Sequence, residues 1–198
     1  MKNTESELFF EKYLNSINKK FEKNIDVDGG EVDFYLKDDD LFIEVKQIDH
    51  FDKKSKTYKK INTDEDYDFS DVNEVLLIKK KIKEAKDQYK KKESVKNLLI
   101  VVQNNTGFED FSINDLFEAC FGGYDGLGEL WKDKGCFVSA VCSISSIKEF
   151  TSLNDSDSDD IKCTAILNPF SKQDSSNFFN EKDDVYEVDK EGQSFRLI

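Results

Sequence analysis

Phe10, Leu14, Ile17 and Phe21 recur at helical spacing behind Thr4 and Ser6, either of which can cap a helix, and behind the acidic Glu5 and Glu7. The pattern predicts a first helix from about residue 5 to 23 with one apolar face. Gly29 and Gly30 end a connecting segment and precede two runs rich in Val, Ile, Phe and Tyr, at 31 to 36 and 41 to 47. The polar KDDD between them makes a hairpin. Residues 48 to 70 are rich in Asp and Lys and read as a long loop, either a flap or an insertion. Val75, Ile78, Ile82, Ala85 and Tyr89 form the apolar stripe of a second helix over about 71 to 93, a segment without glycine or proline. NLLIVVQ, residues 97 to 103, has the continuous apolar character of a strand at a sheet centre.

The second half alternates less clearly. SINDLFEAC predicts a short helix, FGGYDGLGEL a glycine-rich loop, and CFVSAVCSI and KCTAILNPF two more strands separated by the acidic turn SLNDSDSDD. Gly122, Gly123, Gly126 and Gly128 match neither phosphate-binding glycine spacing and follow no strand. The expectation is a single α/β domain over 198 residues, with no internal repeat.

A turn centred on Asp38 and Asp39 sets Asp33 opposite Glu44, Glu31 opposite Lys46 and Tyr35 opposite Phe42, all on one face. Val32, Phe34, Leu36, Leu41, Ile43 and Val45 take the other face. Facing side chains stand about 5 Å apart at Cβ, so two ionised carboxylates there need a positive partner. Lys46 is one such partner and a hard divalent cation is another. That combination suits phosphodiester hydrolysis: a cation on Asp33 and Glu44 polarises the phosphoryl group, and Lys46 orients water and offsets developing charge. The acid-x-Lys triplet alone carries little, since Asp52 with Lys54, Glu84 with Lys86 and Asp160 with Lys162 also form it. Strand context and the facing Asp33 separate Glu44 and Lys46 from these. The competing reading is a salt-bridge ladder on a solvated sheet face.

VDFYL followed by LFIEVKQ resembles the PD-(D/E)XK nuclease superfamily, with Asp33 at the lone acid and Glu44, Val45 and Lys46 at (D/E)XK. The resemblance covers about residues 5 to 103 and implies a restriction-endonuclease-like core of helix, three strands, helix and strand. Residues 104 to 198 are then a C-terminal extension of further strands. It further implies Asp33, Glu44 and Val45 as metal ligands for Mg2+ or Mn2+, Lys46 as the catalytic lysine, and an acid from the first helix. Glu7 lies about 50° from the centre of that helix's stripe and Glu11 about 90°, so Glu7 is the better candidate. Both also suit a first turn for electrostatic reasons alone. No proline precedes Asp33, a departure from the motif. Gln47 is a weaker candidate that alternation points away from Lys46, and Glu31 and His50 are weaker still. A lone loop histidine is more often incidental, and no second one exists for a His-based site.

Charge changes the picture of partners. The net charge is −13, but residues 1 to 99 carry 21 basic and 23 acidic side chains against 8 and 19 in residues 100 to 198. The local field, not the sum, meets a polyanion. Residues 79 to 96 hold nine lysines against three acids, and Lys79, Lys83, Lys86 and Lys90 share a helical face that suits a phosphate backbone. Lys53, Lys54, Lys56, Lys59, Lys60 and Tyr58 add to it; a solvated helix face is the plain alternative. Arg196 is the only arginine, which disfavours sequence-specific base readout. The expected partner is DNA, or RNA, with a homodimer or protein partner engaged through the acidic half. The rival expectation is a catalytically inactive nuclease-fold binding protein, or an inhibitor whose residues 149 to 191 imitate nucleic acid. Four cysteines without CxxC spacing read as free thiols, and no apolar run suits a signal peptide or membrane span, so a cytoplasmic location is expected.

Overall fold

In the computed structural model, residues 4–49, 74–105, 111–123, 126–130, 136–147 and 160–198 are described. The first helix, α1 (Glu5–Ser16), is shorter than its apolar spacing predicts. Thr4 is the cap: its hydroxyl accepts from the Glu7 N–H while the Glu7 carboxylate accepts from the Thr4 N–H, a reciprocal capping box. The other candidate cap, Ser6, is buried instead. Asn18 adopts φ 55, the left-handed conformation that asparagine tolerates at helix ends, and stops the helix before Phe21. Phe21 therefore reaches the core from outside the helix, edge-on to Phe34 at 5.5 Å.

Three strands follow as an antiparallel meander: β1 (Glu22–Val27), β2 (Gly30–Leu36) and β3 (Leu41–Ile48). Then come α2 (Glu74–Tyr89), β4 (Leu98–Asn104) and α3 (Ile113–Phe121), and a two-residue pairing of β5 (Gly122–Gly123) with β6 (Gly126–Leu127) inside the expected glycine loop. The chain closes with β7 (Val138–Ile147), β8 (Asp160–Leu167), a 3-10 turn at Ser176–Phe178, β9 (Asp184–Val188) and β10 (Phe195–Leu197). The sequence pattern gave no sign of the last three.

One eight-stranded mixed sheet of order β1-β2-β3-β4-β7-β8-β9-β10 runs through both halves. Strands β3, β4 and β7 are parallel neighbours, and β4, buried over its first five residues, lies near the centre as NLLIVVQ predicted. On one face α1 covers Phe34, Leu36, Ile43, Leu99, Val101 and Cys163. On the other, α2 and α3 cover Val32, Phe42, Ile48, Leu98, Ile100 and Val102. The extension is thus added to the sheet edge. Among the described residues no helix is long and apolar enough to cross a membrane. Cys120, Cys136, Cys142 and Cys163 are all buried and in no disulfide, as expected.

Candidate active site

The hairpin register is the expected one where the ladder exists: Leu36 faces Leu41, Tyr35 faces Phe42 and Phe34 faces Ile43. Tyr35 and Phe42 stack at 4.5 Å. Beyond Phe34 and Ile43 the strands stop pairing, and the Asp33 carboxylate replaces the next backbone partner by accepting from the Val45 N–H at 2.7 Å. The expected Glu31–Lys46 pair is consequently not formed. Glu31 pairs with Asp26 across β1, and its carbonyl accepts from Gln88 Nε2 and lies 2.8 Å from the Tyr89 hydroxyl. Val32 also departs from expectation, packing in the α2-side cluster rather than with Phe34 and Leu36. The alternation that predicted a greasy face and a charged face breaks where the ladder ends.

Glu44 is only 4% exposed, because α2 covers the face it occupies. One of its oxygens, Oε1, accepts from Lys46 Nζ at 2.5 Å, and the other, Oε2, from the Tyr89 hydroxyl. Lys46 Nζ also donates to Gln88 Oε1 at 3.3 Å, and Gln88 Nε2 donates to the Tyr89 hydroxyl at 2.7 Å. This burial removes the solvated-ladder reading for Glu44. Tyr89 is fully buried at the end of α2, where desolvation and then the Glu44 carboxylate push its pKa well up and keep the hydroxyl a donor.

Asp33 is pushed up to about 7. Burial is the main cause, Glu44 and Glu7 add repulsion, and the Val45 N–H and Lys46 act in the opposite direction. Lys46 alone does not offset the negative field of the neighbouring carboxylates. Glu7, half-buried, is thus brought into electrostatic range of Asp33 while its carboxylate closes the cap of α1. Glu11 is turned aside into an ion pair with Lys23 at 2.6 Å. Gln47 points to the α1 face, as alternation requires, accepting from the Ser6 N–H and hydroxyl and donating to Asp49. His50 and the loop lysines at 53, 54, 56, 59 and 60 lie outside the described residues, as does Tyr58.

Three lysines of the α2 face, Lys83, Lys86 and Lys90, are engaged within the chain. Lys83 and Lys90 both pair with Asp87, whose carboxyl they hold down at about 2. Lys86 donates to the Glu129 carbonyl, and Lys79 is half-buried.

Asp33 and Glu44 form an all-oxygen donor set of the kind that hard divalent cations take. No group of three or more His, Cys, Asp or Glu suited to a metal ion occurs among the described residues. Mg2+ commonly uses one or two carboxylates and keeps its remaining waters; of this pair, Asp33 Oδ2 and both Glu44 oxygens are engaged within the chain. Val45 presents only its main chain, and its N–H is committed to Asp33.

Tyr89 and Gln88 were missed as site residues. A tyrosine rather than phenylalanine in a buried stripe was a signal, since a buried hydroxyl requires a partner; Gln88 carried none. Comparison of the chain with protein-family models, with curated proteins and with solved structures found no match in any of the three.

Proposed function

We propose that this protein is a metal-dependent nuclease that hydrolyses phosphodiester bonds, in DNA before RNA, without strong sequence specificity. The observation that carries the reading is the meeting of Asp33, Glu44 and Lys46 where the β2/β3 ladder gives way to side-chain bonding. The succession α1, β1, β2, β3, α2, β4, with β4 parallel to β3, supports a restriction-endonuclease-like core. Asp33 and Glu44 would hold Mg2+ or Mn2+. When bound, the cation supplies Lewis-acid polarisation of the phosphoryl group. Lys46, within reach of Glu44 and Gln88, orients the attacking water and offsets charge developing on the phosphate. Glu7 assists by adding negative potential beside Asp33.

Incubation of the purified chain with Mn2+ or Mg2+ and linear or circular DNA tests this. Cutting is expected from the wild type and is lost in Glu44→Ala and Lys46→Ala. Equal cutting by all three removes the assignment.

One observation favours a second reading, a nuclease-fold protein that binds without cutting: both oxygens of Glu44 are engaged within the chain. Failure of Mn2+ to bind in calorimetry, together with tight binding to a protein partner, selects it. Part of the acidic stretch invoked for nucleic-acid mimicry, residues 149 to 159, lies outside the described residues.

A further inference from the structure

Four side chains close a ring: Glu44 to Lys46, Lys46 to Gln88, Gln88 to Tyr89, and Tyr89 back to Glu44. Two of them come from β3 and two from the last turn of α2, and the ring is tied to β2 through the Glu31 carbonyl, which accepts from Gln88 Nε2. We infer that Gln88 and Tyr89 are positioning residues that fix where the Glu44 carboxylate and the Lys46 ammonium point. A glutamate with only a lysine for partner is free to rotate with it, because both side chains keep several torsions. The Tyr89 hydroxyl removes that freedom from one end, since its ring is packed in the core and has only two torsions to hold. Gln88 works at the exposed rim, where its amide oxygen takes Lys46 and its amide nitrogen takes Tyr89 and Glu31. It therefore offers Lys46 a second acceptor, to which the ammonium can pass when Glu44 is engaged elsewhere.

The ring stands on contacts within the chain, whereas its consequence for catalysis rests on the nuclease reading. Two measurements keep these apart. In metal-free buffer with chelator, urea unfolding of the wild type, Tyr89→Phe, Glu44→Leu and the double variant gives the coupling between the two groups. A departure from additivity of about tenfold or more in the unfolding constant is expected for a hydrogen bond to a buried charge. Additive effects overturn the inference. Should Tyr89→Phe fail to fold, Gln88→Ala with Lys46→Met runs the same cycle from the exposed side. In the second measurement, Mn2+ alone is titrated calorimetrically into wild type and Tyr89→Phe. Affinity is expected to fall about 10- to 100-fold, as when a group that orients a metal ligand is lost. DNA cleavage should then lose kcat with KM retained. A variant that is less stable but binds Mn2+ and cuts as the wild type does makes Tyr89 merely structural and overturns its positioning role. Strong coupling in a wild type that binds no Mn2+ supports the ring and removes the nuclease reading.

Discussion

Replacing Asp33 by asparagine isolates the cost of crowding acids at the end of a broken ladder. The Asp33 carboxyl, ordinarily near 3.8, is pushed up to about 7 in the fold by burial first and then by Glu44 and Glu7. Between those two values the folded chain holds a proton that the unfolded chain has released. Stability therefore falls as pH rises through this window, and the penalty is complete above 7. At about 1.4 kcal/mol per pH unit the interval corresponds to roughly 4 to 5 kcal/mol. Asparagine has nearly the same shape and keeps an oxygen for the Val45 N–H, so Asp33→Asn removes the ionisation and little else. The variant should match the wild type at pH 4 and exceed it at pH 8.5 by about 4 kcal/mol, or roughly 8 to 16 °C in Tm for a chain of this size. Urea unfolding followed by circular dichroism, with chelator present, measures both ends of the curve. A gap that is the same at pH 4 and pH 8.5, or a variant less stable at pH 8.5, refutes the reasoning. Under the nuclease reading, saturating Mg2+ closes the gap at high pH, because the cation stabilises only the chain that retains the carboxylate.

Four other outcomes follow from local packing and pairing. Tyr13 donates at 2.6 Å to the buried Asp183, which also accepts from the backbone N–H groups of Cys163 and Asn180. Tyr13→Phe should cost about 1.5 kcal/mol in urea unfolding, at the low end for a charged acceptor because the two N–H groups remain. Phe34 is fully buried between Phe10 and Phe21, so Phe34→Ala should cost about 3 to 5 kcal/mol, whereas Arg196→Ala, which breaks an exposed ion pair with Glu187, should stay within about 0.5 kcal/mol in the same assay. Asp87 neutralises Lys83 and Lys90, so Asp87→Ala should tighten DNA binding and steepen its salt dependence in fluorescence anisotropy if that face meets phosphate.

The hairpin was legible because two independent constraints agree on it. The pleat fixes which residues share a face, and the KDDD turn fixes which residues oppose, so the register from Leu36/Leu41 to Phe34/Ile43 follows from counting. Counting fails one pair later, because a side chain can substitute for a backbone partner and the pattern of residue types does not say where it will. The end of α1 was obscured differently: Ile17 and Phe21 continue the helical spacing, but Asn18 turns the backbone left-handed and Phe21 fills the same apolar space from a non-helical chain. The C-terminal strands were hidden by shortness and exposure. β10 has three residues, none buried, and β9 only two buried, too few for a period to emerge.

The two acids differ in how firmly they are held, and the difference follows from what holds them. Asp33 takes the place of a strand partner for Val45, so moving its Oδ2 leaves a backbone N–H unsatisfied in a part-buried place. Glu44 is held only by side chains, Lys46 on one oxygen and Tyr89 on the other. Under the nuclease reading Asp33 and Glu44 would hold the cation, and Lys46 would pass from Glu44 to its second acceptor, Gln88. The backbone-bonded Asp33 and the Tyr89-held Glu44 set the position, and Lys46 supplies the change. Local rules are broken here, with charge inside a sheet and a ladder cut short. An arrangement selected only for stability would place apolar residues at 33, 44 and 46, since exchanging a buried ion pair for well-packed hydrophobic groups is often neutral or stabilising.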